Sequence, residues 1–584
     1  MQTLKLNTAI FVAATFIAVF SAGGASAANG TSAANGTSAA NGNGANAASQ
    51  PQFGIWGDFL AGRHAEAIGD KREAFQFYDA ATRKGMVAPA EFYSRMYILN
   101  LTEGRMEAAL ANLATAESMG AKAPLSNLTR AVMALRDENY KAAEDLLASD
   151  DTGLSHLLKP ALSAWSRVGR KDMAGALAAL DQATDAKDNK PTPLNLLHSA
   201  LINDVAGNAA VAENLFSQLQ GAAGLSVRSA QLYGELVERQ GRAPEAIALY
   251  KTLNNAGAVE ILLETNASHR AANTRPRRDV TTAQQGAAEA LYGIASSMLA
   301  QNAYEAALAL AHLANAVRPD FPPAMMIIAA VLEQDGRRAD ANVLYAKVPK
   351  SSPFSWLARL HFANNLDRLD QTDKAIEMLR SMSRVNGTLS SALIQQGDIL
   401  RRHERYEDAA AAYSDALARI DEPKQNHWGV FYSRGVAYDL SKQWPKAEAD
   451  FLRALELSPD QPSVLNYLGY LWIDQGLHLE RALKMIGQAV KKRPRDGYIV
   501  DSLGWGLYRT GDFVGAVKQL ERAVMLSPAD PVINDHLGDA MWRVGRKREA
   551  RFQWERALAM DPTPELSTVL KLKIKSGLDA VKSE

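Results

Sequence analysis

The sequence predicts an all-α fold, a solenoid of stacked helix–turn–helix units, and three observations predict it. Glycines recur at one interval toward the C-terminus: Gly435, Gly469, Gly504 and Gly538 fall at steps of 34, 35 and 34. Pro459, Pro494, Pro528 and Pro562 keep the same beat, as do Ala447, Ala482, Ala516 and Ala550, and then Ala454, Ala489, Ala523 and Ala557. Alanine makes up about a sixth of the 584 residues, which favours closely approaching helices because it forms helix well and takes little room. Composition also excludes. The chain has no cysteine, so disulfides, thiolate metal sites, iron–sulfur clusters, a cysteine nucleophile and a lipid-modified N-terminal cysteine fall away together. Its 64 Lys+Arg balance 64 Asp+Glu, which leaves no basic footprint for nucleic acid.

Residues 1–27 read as an export signal. Lys5 supplies the positive region, Ala9 to Phe20 form an apolar stretch, and Ala25-Ser26-Ala27 is a small-residue cleavage site. The apolar stretch is too short to span a bilayer comfortably; an uncleaved anchor is the other reading. Cleavage predicts a periplasmic protein without a membrane span. Residues 28–52 repeat Ala-Ala-Asn-Gly-Thr-Ser and cannot bury enough surface to offset ordering entropy, so they read as a flexible tether. The Asn29-Gly30-Thr31 and Asn35-Gly36-Thr37 triplets within them match a glycosylation pattern but read as compositional.

Residues 53–253 form a degenerate N-terminal array, in which turn glycine and helix alanine stay five apart in Gly69–Ala74, Gly104–Ala109, Gly169–Ala174, Gly207–Ala212 and Gly241–Ala246. Residues 254–286 lack the pattern and read as a linker between two arrays, with a short helix over Val259 to Thr265. Arg270, Arg275, Arg277 and Arg278 make the linker basic, which fits a solvated loop better than a site for an acidic partner. Residues 287–562 form the C-terminal array. Residues 563–584 read as a lysine-containing amphipathic helix that caps the last interface.

The 34-residue period with this set of small residues resembles the tetratricopeptide repeat. Ser502-Leu503-Gly504-Trp505 through Pro528 carries most of that pattern: Gly504, Leu507, Gly511, Phe513, Ala516, Leu520, Ala523 and Pro528. Gly504 and Ala516 sit where the two helices of a unit cross, Gly511 serves the turn between them, and Pro528 stops the second helix. No unit buries its apolar face alone, so stacking closes the core.

No enzyme signature is present. The ten histidines are scattered, without His-Glu-x-x-His spacing, and there is no Walker loop, nucleophile elbow or dinucleotide fingerprint. The reading is a protein that is not an enzyme and holds no cofactor or metal. The resemblance implies instead a concave groove lined by the first helix of each unit. Counting from the repeat glycines, it presents Asn466 and Tyr470, then Tyr498, Asp501, Trp505, Tyr508 and Arg509, then Asp535, Asp539, Trp542 and Arg543. Tyr, Trp and Arg are enriched at binding hot spots. For Tyr508, Trp542 and Arg509, packing or pairing with a neighbour competes with that role. His536, Trp444 and Trp554 read as packing residues. Asp501, Asp535 and Asp539 would repel a peptide carboxylate, which favours an internal or extended segment, or a folded partner.

The C-terminal units carry a further likeness. Asn466-Tyr467-Leu468-Gly469-Tyr470, Asp501-Ser502-Leu503-Gly504-Trp505 and Asp535-His536-Leu537-Gly538-Asp539, with Gly545-Arg546 and Glu549-Ala550, resemble the C-terminal block of exported bacterial tetratricopeptide proteins. These include the adaptor lipoprotein of a carboxyl-terminal processing protease. The resemblance implies a scaffold or adaptor in the cell envelope that brings substrates such as cell-wall hydrolases to a periplasmic protease. The absent lipid-bearing cysteine departs from that type and leaves the protease partner open. An assembly factor for an envelope secretion or polysaccharide-export complex is the alternative.

Overall fold

A computed structural model describes residues 54–579, apart from 69, 150–152, 182–190, 254–258, 260, 264–273 and 388. Residues 1–27 and 28–52, expected to be an export signal and a tether, therefore lie outside the described residues. Every regular element among those described is a helix, as the periodicity predicts. The chain divides into two compact units, one running to Met378 and the other starting at Leu379.

Unit 1 begins with six helical hairpins. They are α1 (Ile55–Ala67) with α2 (Lys71–Arg83), α3 (Ala90–Thr102) with α4 (Met106–Ser118), and α5 (Ser126–Arg136) with α6 (Tyr140–Ala148). Then come α7 (Gly153–Gly169) with α8 (Met173–Asp181), α9 (Pro193–Val205) with α10 (Ala209–Ala223), and α11 (Val227–Arg239) with α12 (Ala243–Tyr250). After the interruption follow α13 (Ala283–Ala300), α14 (Tyr304–Val317), α15 (Pro322–Gln334), α16 (Arg338–Lys347) and α17 (Ser355–Arg368). The division between the units falls within α18 (Thr372–Val385).

The junction expected at 254–286 is corrected. Described residues on both sides of it belong to unit 1. The linker also ends early, because a capping box of Thr282 and Gln285 starts α13 at Ala283. Of the short helix expected at Val259 to Thr265, Val259 and Ile261 to Leu263 are helical, and the remaining positions lie outside the described residues. The physical reason for the missing junction is a buried ionic cluster. Arg228 of α11 and Glu289 of α13, 4% and 1% exposed, pair at Nε···Oε2 3.1 Å. Asp279 binds Arg228 as well, and accepts from Arg318 Nη2 at 2.7 Å. Burial opposes ionisation of Asp279, but the two guanidinium groups outweigh it and hold its carboxyl down at about 2. Arg278 donates to Asp204 at 3.0 Å and Arg275 to the Arg239 carbonyl at 3.1 Å, so these two linker arginines grip unit 1 itself.

Unit 2 contains α19 (Ser391–Arg402) with α20 (Tyr406–Leu417), α21 (Trp428–Leu440) with α22 (Trp444–Leu457), and α23 (Pro462–Asp474) with α24 (Leu479–Lys492). It ends with α25 (Gly497–Arg509) and α26 (Phe513–Leu526), α27 (Pro531–Arg543) and α28 (Lys547–Leu558), and α29 (Pro564–Ser576). The repeat residues do what their types require. A Cβ on Gly504 would meet Leu520 Cγ at 2.5 Å, and Ala516 and Ala523 are fully buried. Gly511 turns the chain at φ +91°, where L side chains are strained. Asp512 then caps α26 by accepting from the Gly515 amide at 2.8 Å. Pro528 follows once α26 has ended at Leu526.

Candidate partner-binding surface

The inner side of the first array in unit 1 is already filled by its own chain. Helix α13 packs on α7, α5 and α9, and α14 packs on α3 and α5, all first helices of their hairpins. The seat of α13 is Gly286, where a Cβ would lie 2.0 Å from the fully buried ring of Trp165. Trp165 Nε1 donates to His198 Nδ1 at 2.9 Å, and burial drives His198 down to about 3, which keeps its imidazole neutral. Polar clamps line the seam: Arg95 Nη1 to Glu305 at 2.7 Å, Arg337 Nη1 to Glu103 at 2.7 Å, and Gln284 Nε2 to Tyr140 Oη at 3.3 Å. That face offers a partner little.

In unit 2 the first helices α19, α21, α23, α25 and α27 each carry a repeat glycine, and their side chains form a ladder. The residues expected to line it are brought together in three groups. Asp501, Trp505, Tyr508 and Arg543 join through His536. Its Nδ1 lies 3.0 Å from Asp501 Oδ1, and its ring stacks on Trp505 at 4.2 Å. Trp505 stacks in turn on Tyr508 at 4.9 Å, and Arg543 Nε donates to Tyr508 Oη at 3.3 Å. Burial disfavours the charged His536, but Asp501 outweighs it and raises the imidazole above its ordinary value.

The second group is covered. Lys573 of α29 reaches Asp535 at 2.7 and 2.8 Å and Asp539 Oδ2 at 2.9 Å, and all three side chains are buried. Trp554 Nε1 donates to Asp539 at 3.0 Å. Trp542 packs on Trp554 at 5.4 Å and donates to Asp579 at 3.3 Å, so it lies under the cap. The acidic charge read as repelling a carboxylate is thus compensated at this end by Lys573. Arg509 pairs with its neighbour, donating to the Asp474 carboxylate at 3.2 Å and carbonyl at 3.0 Å. Tyr498 stands at the rim, 46% exposed.

The third group is unsatisfied. Asn466 of α23 is 1% exposed, yet its Oδ1 has no hydrogen-bond partner; neither has the buried Nε1 of Trp505. Tyr470 is half-buried beside Asp501, its phenol pushed up to about 12 by burial and that carboxylate. Sequence counting missed the earlier rungs. Asp439 lies four residues after Gly435, as Tyr508 does after Gly504, and accepts from Tyr467 Oη at 2.9 Å. The same register, counted from Gly435, would have found it. Among the described residues no group of His, Asp or Glu is placed to hold a metal ion. No helix there is long and apolar enough to cross a membrane.

A family model described as tetratricopeptide repeat matches residues 394–462, within this ladder. A TPR repeat-containing protein of Pseudomonas aeruginosa is 28% identical over 173 residues. That match spans 30% of this chain and only 28% of the relative's length. Similar solved structures include a tetratricopeptide repeat protein of Parabacteroides merdae, 16% identical, covering 43% of this chain and 98% of that one with a TM-score of 0.35. The Cut9–Hcn1 hetero-tetramer of the APC/C is 12% identical, covering 89% of this chain and 95% of that one with a TM-score of 0.37. Repeats of this kind bind other proteins and typically serve as non-catalytic scaffolds. The 34-residue register and the helical hairpins agree with that match: residues 394–462 carry tetratricopeptide repeats, and the other described residues fold as all-α helical hairpins.

Proposed function

We propose that this protein is an exported adaptor whose unit 2 ladder holds an extended segment of a partner protein. The observation that carries this reading is Asn466, whose buried amide oxygen has no partner. Leaving such a group unpaired costs about 1–3 kcal/mol, which a ligand hydrogen bond recovers. A carboxamide matches the N–H and C=O of a peptide main chain, and the indole N–H of Trp505 suits a further carbonyl. Trp505, Tyr508 and Tyr470 supply flat surface beside them.

The finer reading rests on sequence. The signal-like residues 1–27 support export to a periplasm, and the likeness over residues 464–558 supports delivery of cell-wall hydrolases or similar substrates to a processing protease. Capture from envelope extracts, followed by mass spectrometry, tests it. The expected result is a protease with its substrates, and loss of at least about tenfold in capture by Asn466→Ala with Trp505→Ala. Unchanged capture by that variant would remove the ladder as the binding surface. Capture of a secretion or polysaccharide-export complex instead would overturn protease delivery and favour the assembly-factor alternative.

A further inference from the structure

Helix α1 has two apolar faces, and only one of them is used. Toward the core, Phe59 meets Tyr78 at 6.0 Å and Phe92 at 5.9 Å, while Ala65 is 1% exposed. On the opposite face Trp56 and Leu60, with the C-cap residue Ile68 just beyond the helix, are 67%, 64% and 64% exposed, and Arg63, His64 and Ala67 lie between them. Among the described residues no other helix, counted with its caps, gathers three large exposed apolar side chains. A helix that is apolar on both sides belongs between two partners.

We infer that this stripe is a contact between two copies of the chain, with α1 packed antiparallel on α1 of the partner copy. Residues 28–52, which lead into the helix, contain only Ala, Asn, Gly, Thr, Ser, Gln and Pro. Between Ala28 and the helix only Phe53 has a large apolar side chain, too little to cover three. The stripe is complementary to itself. Trp56, Leu60, His64 and Ile68 are spaced by four, so a two-fold axis near residue 62 sets each Trp56 over Ile68 of the partner copy. The same axis sets Leu60 over His64 of the partner copy. Every contact then occurs twice, as an isologous interface requires.

Size and charge agree. The three exposed side chains offer roughly 400 Å² of apolar surface. A standard interface of about 800 Å² per partner, a little over half of it apolar, needs about that much. No free carboxylate has to be stripped of water. Asp58 pairs with Lys84 at 2.7 Å and Glu66 with Arg95 at 2.7 Å, both on the inner side of the helix. Arg63 can lay its stem along the edge and keep its charge in water.

Sedimentation equilibrium of the purified full chain, with its N-terminal residue determined, tests the inference. The expected result is a concentration-dependent shift from one to two copies of the 63.2 kDa chain. Trp56→Glu with Leu60→Glu should weaken self-association by at least about tenfold with unchanged helicity. Val87→Glu, at an 87% exposed position off the helix, should leave it unchanged. Because the chain has no cysteine, Leu60→Cys adds one thiol, expected to be shielded from maleimide in the dimer and released on dilution. A monomer at every concentration overturns the inference, as does a dimer indifferent to the α1 charges. Shielding of Cys at position 60 in the monomer also overturns it, by showing that the chain's own N-terminal residues cover the stripe.

Discussion

Lys573 shows how much of unit 2 rests on one side chain. Its ammonium lies between Asp535 and Asp539, one turn apart on α27, and among the described residues no other cation is within hydrogen-bond reach of Asp535. Burial and the Asp535 charge raise the carboxyl of Asp539, and Lys573 pulls it part of the way back. Replacing Lys573 by Met leaves two buried like charges, which should cost about 3–5 kcal/mol at neutral pH. The penalty should shrink near pH 5, where the folded state takes up a proton at the raised Asp539 that the unfolded chain does not. Urea unfolding at pH 7.5 and 5.0 measures both; equal losses at the two values would show that the carboxylates do not repel each other as argued. The two aspartates were legible in the sequence, because register counted from Gly538 places them on the inner face. Their partner was not. It sits in a terminal helix with no repeat register from which to count.

At the scale of elements, the return of α13 and α14 into the first array is the feature that periodicity could not show. A repeat pattern reports how each hairpin stacks on the next. Closure depends on unique contacts between residues far apart in sequence, such as Arg95 with Glu305 and Gln284 with Tyr140. The linker looked like a junction because it lacks the repeat residues. Its described residues hold the array in another way: Asp279 and Arg278 bind through charge, and Leu262 and Val280 are buried in the core. Gly286 is the seat of this closure, so Gly286→Leu should force Trp165 from its site and cost about 3 kcal/mol or more. Amide exchange should then rise in α3, α5 and α7, the helices that α13 and α14 cover. The milder Gly293→Ala, whose Cβ would meet only Leu194 Cδ1 at 3.3 Å, should leave those helices protected. Unchanged exchange in α3 and α5 of the Gly286 variant would mean that α14 stays seated without α13.

Across the whole molecule, the two units should answer acid in opposite directions. Unit 1 buries two neutral histidines, with burial holding His198 at about 3 and His312 at about 4. An unfolded chain binds protons at both positions below about pH 6.5, so unit 1 loses stability there as pH falls. Glu235 opposes this, since burial lifts it to about 7 and the folded state takes its proton first. With two histidines against one glutamate, unit 1 should lose on the order of 1.4 kcal/mol per pH unit between about 6.5 and 4.5. In unit 2 the signs reverse. The raised His536 and the raised carboxyls of Asp398, Asp439 and Asp539 all favour the folded state on acidification, against a lowered His427. The stability that His536 contributes is fully present below about pH 6.5 and is lost as pH rises through its raised value. Hydrogen exchange at pH 7.5 and 5.0, corrected for intrinsic rates, should therefore show protection falling in α5, α7 and α9 and holding or rising in α25 and α27. His198→Leu should flatten part of the response in unit 1 alone, even though it orphans the Trp165 N–H at every pH. A parallel loss of protection in both units would show that they unfold as one block, and would overturn the assignment of separate proton inventories to each.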